Sequence, residues 1–298
     1  MRERLCHWLR VSLGVALGVL ASSAALALQV TDDRGAPVTL AQAPRRIVSL
    51  FPSLTETVCQ LGQCDRLVGI DRYSNHPAAV QALPRVGGGL DPSIEAIVAL
   101  RPDLVLMATS TRGAERLQAM GITVAAFQPR SHADVRHMIE RVGTLLDVPP
   151  AQGAEPLWAG IQAALDRAAQ SVPTVARGRR VYVEVNSGPY AASDASFIGE
   201  TLRRLGARNV VPGELGPFPK LNPEFVVHAD PDLIIVGDSN VAALRRRPGW
   251  AGLRALRGGL VCALSPQQSD VLVRAGPRLA EGAALLVDCL GRGAGGPR

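Results

Sequence analysis

The chain repeats one pattern in its two halves. Residues 94–107 read IEAIVALRPDLVLM and residues 223–236 read PEFVVHADPDLIIV, so that Glu95 aligns with Glu224 at an offset of 129. The same offset joins the Pro-Asp-Leu triplets within the two segments. A second pair of segments, each with Glu-Thr followed by Leu-Gly, begins at Glu56 and at Glu200. This repetition predicts two similar lobes, and two-lobed proteins commonly bind a ligand in the cleft between the lobes.

Short apolar runs alternate with helical patterns along both halves. Continuous apolar strands between helices are typical of parallel sheets that are covered on both faces. The predicted strands lie at 46–50, 67–70, 104–107, 122–127, 181–185, 209–211, 233–236 and 260–264. One predicted helix ends at Gly62, and the others span 94–103, 113–120, 132–146, 197–205, 223–229, 242–256 and 274–290, with breaks in the helix at 242–256 at Pro248 and Gly249. The sequence therefore predicts an α/β fold with two similar lobes built around parallel central sheets.

An Ala-rich segment separates the two halves. Its apolar residues are spaced as one face of a helix, with prolines on both sides of the segment. They are Leu157, Trp158, Ile161, Leu165 and Ala168. The spacing predicts a single long linking helix within 149–173, between an N-terminal lobe at 28–148 and a C-terminal lobe at 174–290. One rigid helix between two lobes permits only a small hinge motion.

The N-terminus has the pattern of an export leader. Three arginines accompany a short apolar stretch, and Ala25-Leu26-Ala27 fits an A-x-A cleavage site, which predicts a signal peptide over residues 1–27. A membrane anchor is the alternative, but the stretch is short for a bilayer-spanning helix. Cys6 precedes the stretch and no cysteine lies at the cleavage point, so we expect a periplasmic protein without a lipid anchor. The Gly-rich tail at 291–298 is expected to be disordered.

Composition and the absence of several sequence motifs argue against some functional classes. The formal net charge is +6, and removal of three Arg and one Glu with the leader leaves +4. This charge is scattered along the chain, which argues against nucleic-acid binding. The sequence contains no G-x-S-x-G, H-E-x-x-H, P-loop or Rossmann glycine motif, so an exported enzyme is a remote alternative. Its dispersed histidines do not form the cluster that a zinc receptor needs.

Four cysteines remain after the leader, and they allow three pairings. Cys59 and Cys64 flank Gly62 in the first half, whereas Cys262 and Cys289 both lie near the C-terminus. Pairing within each lobe is the simplest of the three arrangements. One bridge would then pin a helix end to the following turn, and the other would tie the last strand to the last helix.

Several segments together resemble a known family. They are RIVSLFPSLTET at 46–57, LVGIDRYSNHP at 67–77, LPRVGG at 83–88, IEAIVALRPDLVLM at 94–107, and Asp270-x-x-x-Arg274 followed by Gly276-Pro277-Arg278. The chain resembles the helical-backbone periplasmic binding proteins that serve ABC importers of cobalamin, haem and ferric siderophores, and the cobalamin-binding type most closely. The resemblance implies a monomeric, non-catalytic receptor whose cargo is a cobalt or iron chelate and whose partner is a permease dimer with its ATPase subunits.

The resemblance also implies positions for the ligand site. Tyr73, Tyr190 and Phe218 would pack on a flat macrocycle, and Asp270 and Arg274 would contact its polar groups. The ordinary alternative for the last two residues is a surface ion pair at i,i+4. At Gly89 and Ala108 the sequence departs from the cobalamin binders, which carry tryptophan there. A different corrinoid, haem or a ferric siderophore therefore stays open as the ligand, and haem would find an axial ligand in a tyrosine or in His76.

Glu95 and Glu224 are the implied contacts to the permease. Ser93 and Asn222 are predicted N-caps, which places each glutamate in the first turn of a helix. Interaction with the helix dipole would alone explain either residue, at about 0.3–1 kcal/mol. In the resembled family, equivalent glutamates at the tops of the two lobes dock with arginines of the permease.

Overall fold

The computed structural model describes residues 27–186, 188–237 and 241–292. Its first elements are β1 (Leu28–Thr31), β2 (Pro37–Leu40), β3 (Ile47–Ser49), α1 (Pro52–Gln60), β4 (Leu67–Ile70), α2 (Ile94–Ala99), β5 (Leu104–Met107), α3 (Ala114–Ala119), β6 (Thr123–Ala126), α4 (His132–Leu145) and α5 (Ala154–Ser171). The others are β7 (Arg180–Asn186), β8 (Tyr190–Ala191), α6 (Phe197–Arg204), β9 (Arg208–Asn209), α7 (Pro223–Ala229), β10 (Leu233–Gly237), α8 (Val241–Leu244), α9 (Arg254–Arg257), β11 (Val261–Leu264), α10 (Pro266–Val273) and α11 (Leu279–Gly291).

Two central sheets confirm the predicted α/β fold with two lobes. The first sheet has the strand order β4-β3-β5-β6, and all its neighbouring strands are parallel. The second has the order β11-β10-β7, with β9 parallel to the beginning of β7 and the short β8 antiparallel to its end. Parallel neighbours require crossover connections, which the intervening helices supply.

The strands bury both of their faces, and one face of each sheet contributes to a shared core. Successive side chains of a strand point to opposite faces. The inner faces of both sheets meet in one apolar cluster, which includes Ile47, Leu104, Leu106, Val183, Leu233 and Ile235. The outer faces form separate clusters, one around Val48, Val105 and Met107 and one around Tyr182, Ile234 and Val236. Because the lobes share a continuous core, separating them widely would expose apolar surface, which is unfavourable.

The predicted long helix lies between the two sheets in the chain. Helix α5 runs from Ala154 to Ser171 and packs against α4 of the first lobe and against α6 and α11 of the second. Ile161 and Leu165, on the predicted apolar face, are buried in the shared cluster. The exact domain boundaries given above stay predictions.

Local signals in the sequence account for several helix ends and for both disulfides. The Ser93 hydroxyl accepts a hydrogen bond from the Ala96 N–H, and the Asn222 side chain accepts one from the Glu224 N–H, so both predicted N-caps are confirmed. Gly62 follows α1 with φ +75°, a conformation that favours glycine. The predicted bridges Cys59–Cys64 and Cys262–Cys289 are both formed.

One predicted helix of the second lobe is wrong in extent, and another is broken where the sequence predicts. The helix expected at 274–290 begins only at Leu279, as α11, and the preceding residues 266–273 form α10, which was not predicted. The helix expected at 242–256 is broken as predicted, with α8 and α9 separated by Pro248 and by Gly249 at φ +78°. Proline lacks the N–H that a helix interior requires, and Pro277 and Pro248 both lie between helices.

Two further predictions concern the ends of the chain. The predicted leader lies outside the described residues except for Ala27, as do residues 293–298 of the predicted disordered tail. Gly291, which was assigned to that tail, is the last residue of α11. Within the described part of the chain, no helix has the length and apolar character that crossing a membrane requires.

Candidate functional site

A cavity of about 440 Å³ lies between the two lobes at the carboxyl ends of the first sheet. The first lobe contributes residues that follow β3, β4 and β5, and the second lobe contributes residues of α10 and the turn after it. The lining residues are Leu50, Phe51, Pro52, Ser53, Asp71, Tyr73, Gly89, Leu90, Asp91, Ala108, Ser110, Thr111, Asp270, Val273 and Arg274. Ligands of open α/β sheets bind at this edge, so the position and size fit a small-molecule site.

The rim of the cavity exposes apolar side chains. Tyr73 is 61% exposed, and Leu90 and Val273 are also exposed. Gly87, with φ +99°, allows the tight turn that brings Leu90 to the rim, because a Cβ there would collide with the Asp91 carbonyl oxygen. Exposed apolar side chains around a cavity are typical of a surface that a ligand covers.

Gly89 and Ala108 both line this cavity. These are the two positions at which the sequence lacks the tryptophans of the resembled cobalamin binders. Small residues here leave space in the cavity and remove two flat surfaces on which a macrocycle could stack. Tyr73 is therefore the exposed aromatic side chain among the lining residues that the structure describes.

Arg274 crosses from the second lobe to the first. Its Nη1 lies 2.8 Å from Glu56 Oε1 and 2.9 Å from Asn75 Oδ1, and its Nη2 donates to the Tyr73 carbonyl oxygen at 3.0 Å. Nη2 also lies 2.8 Å from Asp270 Oδ2, so the i,i+4 pair exists. Arg274 is buried, however, and also bonds the buried Glu56. Its pair with Asp270 is therefore not the isolated surface ion pair of the ordinary alternative. The guanidinium joins the lobes, a role that spacing in the sequence did not suggest.

Asp270 is the partly exposed member of this group. Its Oδ2 forms an ion pair with Arg274 Nη2 at 2.8 Å and accepts a hydrogen bond from the Asn75 side chain at 2.8 Å. The carboxylate is 38% exposed, and its residue lines the cavity. It is thus placed where a polar group of a ligand could reach it.

A chain of buried hydroxyl groups leads to Asp71 at the base of the first-lobe wall. Thr55 Oγ1 lies 2.8 Å from both Ser49 Oγ and Ser74 Oγ, and the Ser74 hydroxyl donates to Asp71 Oδ1. The Tyr73 N–H donates to Asp71 Oδ2 at 2.9 Å. Burial raises the pKa of the Asp71 carboxyl, and the bonds from Ser74 and Tyr73 oppose that rise only in part. Our sequence analysis missed this residue.

Two further hydroxyl groups at the cavity have no partner. Ser53 Oγ and Thr111 Oγ1 are buried and make no hydrogen bond, although both residues line the cavity. Buried polar atoms are nearly always hydrogen-bonded, so an unpartnered pair beside a cavity is unusual. Sequence analysis had no signal for them, since single hydroxyl residues after strands are common in turns.

Tyr190 and Phe218 are placed elsewhere. Neither is among the cavity's lining residues that the structure describes. Tyr190 is 39% exposed and begins β8, which pairs back onto β7, so it lies in a strand and not in the expected loop. Phe218 packs edge-to-face on Phe197, with ring centroids 5.8 Å apart. Contact between either side chain and a ligand stays a prediction.

Glu95 and Glu224 are both exposed, in the first turns of α2 and α7 as predicted. Glu95 forms an exposed ion pair with Arg116 at 3.2 Å. Glu224 Oε2 accepts a 3.4 Å hydrogen bond from the Asn222 side chain. Equivalent helices of the two repeats thus present a carboxylate to solvent.

Most of the charged groups on the described cavity lining are carboxyl groups. Its described lining has three carboxyl groups, of Asp71, Asp91 and Asp270, and one cation, Arg274. Asp91 is paired with Arg72 at the surface. In the part of the chain that the structure describes, no group of three or more His, Cys, Asp or Glu residues could hold a metal ion.

Comparisons with known proteins agree with this architecture. Residues 47–268 match the periplasmic binding protein family. The chain is 29% identical over 276 residues to an uncharacterised ABC transporter substrate-binding lipoprotein, YvrC, of Bacillus subtilis, covering 88% of this chain and 84% of that protein. It is 31% identical over 217 residues to a cobalamin-binding protein of Halobacterium salinarum, covering 70% of this chain and 58% of that one. The match therefore spans less than two thirds of the halobacterial protein's length.

A solved structure extends the likeness to three dimensions. The periplasmic haem-binding protein BhuT in complex with two haems superposes with a TM-score of 0.71 at 29% identity, covering 84% of this chain and 98% of that one. Fold, family match and relatives confirm the resemblance that the sequence motifs indicated. The chain belongs to the periplasmic binding protein family, and it is a substrate-binding protein of the class that includes cobalamin-binding and haem-binding members.

Proposed function

We propose that the protein captures a corrinoid of the cobalamin type in the interlobe cavity and delivers it to an ABC importer in the inner membrane. The observation that carries the choice of ligand is the chemistry of the lining, which combines an exposed apolar rim with carboxyl groups and a single, already paired cation. The apolar rim around Tyr73 would cover part of a flat macrocycle. The carboxyl oxygens would accept hydrogen bonds from the primary amides on the edge of a corrin ring.

Haem is the second candidate, and two observations favour it. BhuT, a haem-binding protein, is 29% identical to this chain, and the exposed Tyr73 hydroxyl could serve as an axial ligand to iron. The charge of the lining opposes haem. Two propionates would enter a cavity whose guanidinium already bonds Glu56 and Asp270, and anions there would meet three carboxyl groups. An anionic ferric siderophore faces the same opposition.

Delivery is proposed to use Glu95 and Glu224. Their equivalent, exposed positions in the two lobes suit a permease dimer with two-fold symmetry, whose subunits would each meet one glutamate. Exposed charges of this kind contribute to register and association rate more than to affinity. The protein itself would act as a monomer with no catalytic step, and the chelate would be cargo and not a cofactor.

Export through the predicted leader is part of the proposal. We propose a periplasmic protein that is free of a lipid anchor, because the sequence has no cysteine at the predicted cleavage point. The Bacillus subtilis relative is named a lipoprotein, so anchoring differs between the two under this proposal. Mass spectrometry of the protein purified from its own cells would show the mature N-terminus and any attached lipid.

The deciding experiment is isothermal titration calorimetry of the mature protein, from Leu28 onward. Cyanocobalamin, haemin and a ferric siderophore are titrated separately. We expect one-to-one binding of cyanocobalamin at submicromolar affinity and recovery of the ligand unchanged. Saturation by haemin or the siderophore without binding of cyanocobalamin would keep the receptor and reject the corrinoid.

Two matched tyrosine variants locate the site. Tyr73→Ala removes an exposed ring from the cavity rim, and we expect it to weaken cyanocobalamin binding at least tenfold, because loss of a buried aromatic contact costs about 2 kcal/mol or more. Tyr190→Ala removes the same ring outside the cavity and should change affinity less than threefold. Equal effects would place the ligand against both lobes, as the sequence resemblance implied.

A further inference from the structure

The first-lobe wall of the cavity contains a buried carboxyl group without a cation bonded to it. Asp71 lines the cavity although it is only 1% exposed. Arg274, the one cation on the described lining, directs its guanidinium to Glu56, Asn75, Asp270 and the Tyr73 carbonyl oxygen. Burying a carboxyl without such a partner is unfavourable, and residues of this kind concentrate at binding sites.

The backbone turn at Asp71 explains only part of this arrangement. The bond from the Tyr73 N–H to Oδ2 is a local turn of the kind that both aspartate and asparagine form. Asparagine would therefore make the turn without placing an acidic group in the wall. The acidic character of residue 71 needs another explanation, and a ligand in the cavity supplies one.

The two unpartnered hydroxyl groups lie along the same edge of the sheet. Ser53 follows β3, Asp71 follows β4 and Thr111 follows β5, and these three strands are neighbours in the order β4-β3-β5. All three residues line the cavity and are at least nine-tenths buried. The sheet thus collects one carboxyl and two free hydroxyl groups along one wall.

We propose that Asp71, together with Ser53 and Thr111, forms a subsite for one primary amide of the ligand and excludes a carboxylate at the same place. The amide N–H groups would donate to the carboxyl, and the amide carbonyl oxygen would accept from a hydroxyl group. This inference rests on the proposed function, since it assigns part of the corrinoid specificity to one wall of the cavity.

The subsite would discriminate because amide and carboxylate have nearly the same shape and differ in charge and in hydrogen-bond donors. Each carboxylate oxygen has more than one lone pair, so Asp71 can accept from an amide N–H beside its bonds from Ser74 and Tyr73. A ligand carboxylate has no donor and repels Asp71. Sites built around a buried polar group reject ligands that leave the group unpaired far more strongly than they reject small differences in size.

The test uses four ligands and three proteins. The ligands are cyanocobalamin and its three monocarboxylic acids, each with one propionamide hydrolysed. The proteins are the wild type, Asp71→Asn and Asp288→Asn. Asp288→Asn is the matched control because it makes the same charge change at an exposed carboxylate outside the cavity lining. Calorimetry gives an affinity for each pair.

We expect the wild-type protein to bind one monocarboxylic acid at least tenfold more weakly than cyanocobalamin, as loss of a hydrogen bond to a charged group implies. Asp71→Asn should bring that ratio to within about threefold, and Asp288→Asn should leave it unchanged. Equal ratios in all three proteins, or equal changes in both variants, would overturn the inference while leaving the proposed function intact. Failure of the wild type to bind cyanocobalamin would overturn both.

A second variant separates binding from folding. Ser53→Ala removes a hydroxyl that has no partner, so the melting temperature of the free protein should stay the same or rise. Affinity for cyanocobalamin should nevertheless fall several-fold if the hydroxyl bonds the ligand. Unchanged affinity in both Ser53→Ala and Thr111→Val would remove the hydroxyl groups from the subsite.

Discussion

Two of the polar contacts between the lobes each use a glutamate, at different depths. Beside the cavity, Arg274 bonds Glu56 at 2.8 Å, and both side chains are almost completely buried. Away from the cavity, the His132 backbone N–H donates to Glu200 Oε2 at 2.6 Å, and both side chains are partly exposed. The first contact holds a full charge out of water, whereas the second completes the N-terminus of α4. We therefore expect the contact between Arg274 and Glu56 to contribute more to the free energy of unfolding than the contact between His132 and Glu200.

The largest effect is expected from Arg274→Met. It leaves the Glu56 carboxylate buried without its main partner, and breaking a buried ion pair in this way costs about 3–5 kcal/mol. We expect the lower end of that range, because Arg278 Nη1 lies 3.6 Å from Glu56 Oε1 and remains. Urea unfolding without ligand measures the change in the free energy of unfolding.

A double variant tests the physical reason for that loss. Glu56→Gln/Arg274→Met removes both charges and should recover part of the lost stability, because replacing a buried pair by neutral groups is often nearly neutral. If the double variant is less stable than Arg274→Met, the bonds from Arg274 to Asn75 and Tyr73 matter more than the charge on Glu56.

The contact between Arg274 and Glu56 could not be predicted from the sequence, whereas the strands and helix caps could. Apolar runs such as Leu67–Ile70 and Leu104–Met107 predicted the strands, because a strand buried on both faces uses mostly such residues. The caps at Ser93 and Asn222 were predictable because an N-cap depends only on residues next to it in the sequence. Arg274 was assigned to Asp270 and the ligand, yet Glu56 lies 218 residues away in the sequence and no periodicity connects the two.

The missed site residues have the same explanation. Asp71 is one acidic residue in a polar loop. Its carboxyl accepts a hydrogen bond from Ser74, whose hydroxyl also contacts Thr55 and whose carbonyl accepts from Arg85. The hairpin of β1 and β2 pairs strands of only four residues, too short for a clear alternation pattern. Non-local contacts of this kind become visible only in three dimensions.

The second contact should give a smaller effect that depends on pH. Burial lowers the pKa of His132, Glu200 opposes this by raising it, and Arg203 and Arg204 lower it further. The folded protein thus holds the imidazole neutral, with Nε2 near Thr201 Oγ1 at 2.9 Å and the Phe197 carbonyl at 3.1 Å. Its contribution is complete above the unfolded pKa of 6.5 and is lost progressively as the pH falls below that value toward the folded pKa.

His132→Gln should therefore lower the free energy of unfolding by about 1 kcal/mol near neutral pH and flatten its decline toward about pH 5.5. His137→Gln is the control, because His137 is an exposed residue of the same helix. Urea unfolding at several pH values compares the two slopes. Identical slopes in both variants would assign the pH dependence to other groups and end the distinction between the two interlobe contacts.

The smallest effect on stability is expected for the exposed residues Glu95 and Glu224. Glu95 pairs with Arg116 in solvent, and exposed ion pairs of this kind contribute about 0–1 kcal/mol, so Glu95→Ala/Glu224→Ala should unfold within about 0.5 kcal/mol of the wild type. Its affinity for cyanocobalamin should also be unchanged.

Uptake into proteoliposomes that contain the permease and its ATPase should nevertheless fall about tenfold in this double variant, if these carboxylates meet arginines of the permease. Glu115→Ala/Glu214→Ala removes two exposed glutamates from other places and should transport normally. Equal uptake by the two double variants would show that the repeated position of Glu95 and Glu224 gives them no special role in docking.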